Sequence, residues 1–224
     1  MGYVKGIICL AASRKRNQYC FAGKEVSTGM WVRPVTNHGE HEVSAAEGTV
    51  SGGGLAKVGD ILDIAFTRHE PFHFQHENYL IQTGDRWRKT GTASYATMES
   101  LLDHPGTLWE NDGQSWGYEN NRVTEAHANA QNCSLWLIRP SDLTVSVDRK
   151  GGDYDDAGKR LVKGHFTFEE IEYSLQVTDP IIESRMLIGV NRTETIPNAL
   201  LCVSLAGAFK GYAYKLIAAI IEPH

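Results

Sequence analysis

Nearly every apolar run in this chain is short and alternates with polar residues, a period of two that sheets satisfy and helices do not. Across Ile61 to Phe66 the side chains of Leu62, Ile64 and Phe66 share one face, and Leu143, Val145 and Val147 alternate with Thr144 and Ser146. Tyr173, Leu175 and Val177 repeat the pattern against Glu172, Ser174 and Gln176. Leu135 to Ile138 is a short apolar run stopped by Arg139 and Pro140. The final run, Tyr212 to Ile221, is almost continuously apolar and reads as a strand buried on both faces. Helix signals are few: Thr97 to Leu102 before Pro105, and the order Thr178-Asp179-Pro180, a cap followed by proline, ahead of Ile181 to Leu187. Many short strands with turn signals about every ten residues predict one or more small barrels or sandwiches.

With 224 residues, 42% of them hydrophobic, the chain is long enough for one large or two small domains. The stretch from Glu110 to Gln131 is polar and rich in Asn and Gly, and reads as a linker or long loop. It divides the chain into residues 1–125 and 126–224, each the size of one five-stranded barrel. A similarity between "ICLAA…YCFAGK" and "LCVSLAGAFKGYAYK" agrees with a doubled architecture. Cys9, Cys20, Cys133 and Cys202 are scattered, form no C-x-x-C pair and sit mostly in apolar runs, so they read as reduced thiols of a cytoplasmic protein. No apolar run reaches about 18 residues, so no membrane helix is expected. The N-terminus reads as a first strand, not a signal peptide.

The ordered series "CLAASRKRNQYCFAGKE", "GMWVRPV", "GDILDIAF", "HENYLI", "SLWLIRP", "YSLQVTDP" and "LCVSLAGAFKGYAYKLIAAII" resembles the dual OB-containing domain family of prokaryotic proteins over nearly the whole chain. The resemblance implies a mostly β fold, two small OB-like β-barrels in tandem with a few short helices. It also implies binding of nucleic acid or nucleotides in systems that include anti-phage defence. It brings no catalytic residue set.

Candidate binding residues cluster in four places. If Ile7 to Ala12 pairs with Tyr19 to Gly23, the connection Ser13 to Gln18 projects Arg14, Lys15 and Arg16 from a hairpin tip, with Lys24 further along. Such cations neutralise phosphates even on a chain of net charge −5; the alternative is a hairpin edge protected by charge. In "GMWVRPV", Trp31 and Arg33 project to one face as an indole plane beside a guanidinium, unless Trp31 is core and Arg33 pairs with an acid such as Asp63. In "GDRWRKT", Trp87 lies among Arg86, Arg88 and Lys89, which predicts an exposed stacking residue. Asn78 follows Gln75 and Glu77 in a polar stretch that reads either base edges or a hydrogen-bonded corner. Lys215, inside an apolar strand, must snorkel, pair or face a groove.

Enzyme-like patterns are weaker. His69, His73 and His76 are interrupted by Pro71 and lack ligand spacing, and "SGGGLAKVGD" lacks the ending of a phosphate loop. "GGDYDDAG" lacks the ligand order of a calcium loop, and Asp179 reads as a cap. The expectation is a binding module for single-stranded DNA or RNA, or for a nucleotide, with no metal and no cofactor. A nucleotide- or nucleic-acid-modifying enzyme using Asp63, Glu77 or Asp179, and an adaptor for a protein partner in a defence system, are the alternatives.

Overall fold

The computed structural model describes residues 2–15, 18–39, 41–115, 117–149, 159–189 and 192–223. It divides into two compact units, Met1–Leu102 and Asp103–His224. The first holds β1 (Tyr3–Lys15), β2 (Gln18–Glu25), β3 (Trp31–Val35), β4 (Asp60–His69), β5 (Asn78–Ile81), β6 (Arg88–Thr92) and the short α1 (Tyr95–Glu99). Its sheet runs in the order β1-β2-β3-β5-β4, and β4 returns to pair with β1, closing a five-stranded barrel, with β6 added along β4. The β3–β5 pair is parallel and the other barrel pairs are antiparallel.

One strand makes this closure possible. The first half of β1 pairs with β4 (Tyr3 to Ile8) and the second half with β2 (Ile7 to Lys15), with a bulge between Cys9 and Ala11 where the strand bends. Gly23 faces that bend: a Cβ there would sit 2.2 Å from the Ile8 carbonyl oxygen, so only glycine lets the two backbones approach. The alternating side chains deliver Ile7, Cys9, Phe21, Val32, Leu62, Ile64, Phe66 and Trp87 to one buried core.

The second unit holds β7 (Arg122–Thr124), α2 (Glu125–Asn129), β8 (Leu135–Ile138), β9 (Ser141–Arg149), β10 (Arg160–Phe168), β11 (Ile171–Val177), α3 (Pro180–Met186), β12 (Thr193–Thr195), β13 (Leu200–Leu205) and β14 (Tyr212–Ile221). The path β9-β10-β11-β14-β13-β8 repeats the order of the first barrel, again with one parallel pair, β11–β14. Its two ends, β8 and β9, are consecutive in sequence and separated only by Arg139 and Pro140. They act as one long first strand whose halves pair with β13 and β10. The carboxylate of Asp179 caps α3, accepting from the backbone N–H of Ile181 and Ile182 at 2.9 and 3.3 Å. It also accepts from Ile220 at 3.1 Å, tying the helix to β14.

Three organisational expectations change. The polar stretch from Glu110 to Gln131 is not a linker, and the units part at 102/103, not at 125/126. The β11–β14 pair spans only Gln176–Val177 against Leu216–Ile217, and residues 119–124 fill the seam beyond it. The Glu119 carbonyl accepts from Ser174 N–H, Asn121 from Lys215 N–H, and β7 ladders onto β14. Buried Leu108 and Trp109 and the bonds of Tyr173 to Thr107 and Asn111 anchor the preceding segment. The similar stretches "ICLAA…YCFAGK" and "LCVSLAGAFKGYAYK" occupy different positions, β1–β2 in one unit and β13–β14 in the other. The first hairpin is also tighter than expected, its strands reaching Lys15 and Gln18.

Candidate nucleic-acid interface

Most of the sequence-selected cations and aromatics are used internally. Trp87 is not a stacking residue: it is 2% exposed and meets Phe21 edge-on at 4.9 Å. Just ahead of β6 it bridges to Val50 and turns its indole into the core, while Arg86 and Arg88 on either side of it are exposed. Arg88 is paired with Asp63 and Lys89 with Asp60, while Arg86 is exposed. Lys24 is buried; its ammonium donates to the Leu101 carbonyl at 2.7 Å and lies 5.2 Å from the centroid of half-buried Trp31. Arg33 donates to Glu77 at 3.1 Å, not to Asp63. Asn78 is fully buried and its Nδ2 reaches Gln75 Oε1 at 3.4 Å, as in the hydrogen-bonded corner that is the alternative for this stretch.

Lys215 faces no groove. It is 1% exposed, donates to the Glu110 carbonyl and sits 5.1 Å from the Tyr173 ring, and burial pushes its ammonium down to about 7. Ser13 belongs to the β1–β2 ladder, not to a tip; it is buried and donates to the Cys20 carbonyl. Arg14 is exposed opposite Tyr19. Arg16 and the side chain of Lys15 lie outside the described residues, as does the whole acidic stretch "GGDYDDAG".

An aromatic surface forms instead on the β4–β5 connection. Phe72 and Gln75 exchange backbone hydrogen bonds around a tight turn that buries Phe74 and leaves Phe72 46% exposed. The Phe72 ring lies 4.8 Å from His41 and 4.3 Å from His73. Both histidines have positive φ, 71° and 50°, a left-handed conformation that costs a non-glycine residue energy. His41 is fixed by a 3.0 Å bond between Nδ1 and the Thr36 carbonyl. Two residues later, Val43 exchanges both backbone bonds with Tyr19, the residue across the ladder from Arg14. From strand spacings, the Cα atoms of Arg14 and His41 are therefore at most about 18 Å apart. Sequence reasoning missed Phe72 and His41. The available signal was a pair of phenylalanines, Phe72 and Phe74, in one short polar connection, where a tight turn can send one ring into the core and leave the other outside.

A five-stranded barrel with a split first strand and a parallel closing pair is the OB-fold, and the chain carries this strand order twice. It belongs to the dual OB-containing domain family, which matches residues 5–220. No curated protein and no solved structure matches the chain. OB-folds generally bind nucleic acids or proteins. Among the described residues, no helix is long and apolar enough to cross a membrane.

Proposed function

We propose that the protein is a binding module for single-stranded nucleic acid, with the first unit supplying the contact. The observation that carries this reading is the exposed Phe72 ring, flanked by two backbone-strained histidines, one tilted against it and one edge-on, and linked through His41–Val43 to the hairpin bearing Arg14. A base presents a π-face to such a ring whatever its sequence, and nearby cations neutralise phosphates. The charge division supports the same unit: it carries 11 Lys and Arg against 10 Asp and Glu, and the second unit 11 against 17.

A salt titration with a fluorescent single-stranded 12-mer, DNA and RNA, tests both components. Phe72→Ala weakens binding by about 1–3 kcal/mol and leaves the slope of log affinity against log salt unchanged. Replacing Arg14, Lys15 and Arg16 with alanine flattens that slope by about 1.4–2.1, the loss of two or three phosphate contacts. If both variants bind with the parent's affinity and slope, this surface does not contact nucleic acid.

A further inference from the structure

The second unit has a groove of a different chemistry, on the outward face of β9, β10 and β11. Its volume is about 400 Å³, within the range of small-molecule sites. Thr144, His165 and Ser174 stand in register across its floor, and the acidic residues Glu119, Asp142 and Glu172 are among its lining. Acidic residues alone would be an ordinary solvated rim. Two further observations distinguish this place.

Ser174 is 4% exposed, and among the described residues its Oγ has no hydrogen-bond partner. Its position opposite His165, on the face away from the core residues Tyr173 and Leu175, aims that hydroxyl at the groove. A buried hydroxyl left unpaired is costly, so an unused one in a groove wall marks a place for a ligand group. The β9–β10 ladder is also bulged between His165 and Thr167, where Asp142 takes a φ of 54°. Bulges of this kind re-aim a side chain, here a carboxylate at the groove.

The cations near the groove do not neutralise it. Lys163 is spent on Asp148 at 2.8 Å, on the Gly117 carbonyl at 3.3 Å and on the Tyr118 ring at 4.2 Å. Burial, and then the Lys163 charge, hold the His165 imidazole below its ordinary value, so at neutral pH it adds no positive charge. Three carboxylates repel a phosphate. Among the described residues no three carboxylate, imidazole or thiol groups converge as metal ligands. What fits is a ligand rich in N–H donors and positively charged.

We propose that this groove binds a small organic cation carrying primary amines, of the linear polyamine class, with Asp142 and Glu172 taking ammonium groups and Ser174 Oγ accepting one further N–H. The proposal stands on the second unit alone and does not depend on nucleic-acid binding by the first. The test is calorimetric titration of the full chain with spermidine in 0.15 M salt, free of nucleic acid. Saturable one-to-one binding is expected. Asp142→Asn and Glu172→Gln each weaken it by about five- to tenfold, the loss of a charge-assisted hydrogen bond, and Ser174→Ala by about threefold. Asp85→Asn removes an exposed charge from the first unit and leaves affinity unchanged. Circular dichroism melts check that each variant is folded. Absence of saturable binding overturns the proposal. So does an equal loss in Asp85→Asn, which reports diffuse charge attraction, or parental affinity in Ser174→Ala, which removes the hydroxyl from the site.

Discussion

The two barrels bend their first strand by different means. In the first unit β1 runs unbroken for 13 residues and turns at a bulge, which is possible because Gly23 has no side chain to hold the Ile8 carbonyl away. In the second the bend falls between β8 and β9, at a proline that has no N–H to offer a ladder. One barrel depends on close backbone approach and skips one residue of the ladder, Leu10, at its bulge; the other breaks its first strand at the corner. A shared strand order therefore does not imply shared sensitivities.

Glycine substitution gives the largest contrast. Gly23→Ala forces a Cβ against backbone that cannot yield and is expected to cost more than about 3 kcal/mol. Gly164, also on the second strand of its barrel, would meet the Cδ1 end of Ile217 at 2.4 Å, a flexible tip, so Gly164→Ala costs about 1–3 kcal/mol. Guanidinium unfolding ranks the two, and equal losses would erase the distinction.

The units also respond oppositely to pH. With Lys215 pushed down to about 7, the unfolded chain holds a proton that the folded chain lacks from about 7 up to the ordinary value of 10.5. Stability therefore rises across that window by about 1.4 kcal/mol per unit, and Lys215→Met removes the rise. In the first unit burial, and then the Asp60 charge, push the Cys9 thiol up to about 12. Above its ordinary 9.0 the unfolded chain loses a proton that the folded chain keeps, so stability falls from there upward, and Cys9→Ala removes the fall. Denaturation at pH 7 to 9 isolates the lysine. A flat profile there means the ammonium is stabilised where it lies.

Pro140→Ala is expected to have the smallest effect. No ladder bond is lost, and the cost is about 0.4–1 kcal/mol from a freer unfolded chain. A loss as large as that of Gly164→Ala would show that the corner, not the barrel wall, holds the second unit together.

The architecture was legible because period-two alternation survives in β4 and β9, and because Asp179-Pro180 announces α3 in the sequence itself. The charges beside Trp87 suggest an exposed ring, but its place is set by a bridge to Val50 and by Phe21, partners far away in sequence that its neighbours do not reveal. The stretch from Glu110 to Gln131 reads as a linker by composition because its hydrogen bonds go to residues far away in sequence, such as Glu110 to Lys215 and Asn111 to Tyr173. Composition records its polarity and not its partners. The Phe72 surface was invisible for a related reason, since His41 and Phe72 meet only through folding.

The seam filled by residues 119–124 has a practical consequence for dissecting the chain. A fragment begun at residue 126 would lack the residues that pair with β14 at Tyr212–Tyr214, that accept from the Ser174 and Lys215 N–H groups, and that hold the Lys215 ammonium. It would present an open, sticky strand margin to its own copies, and self-association would then be an artefact of the cut. Severed at 102/103, the same half keeps its own cover.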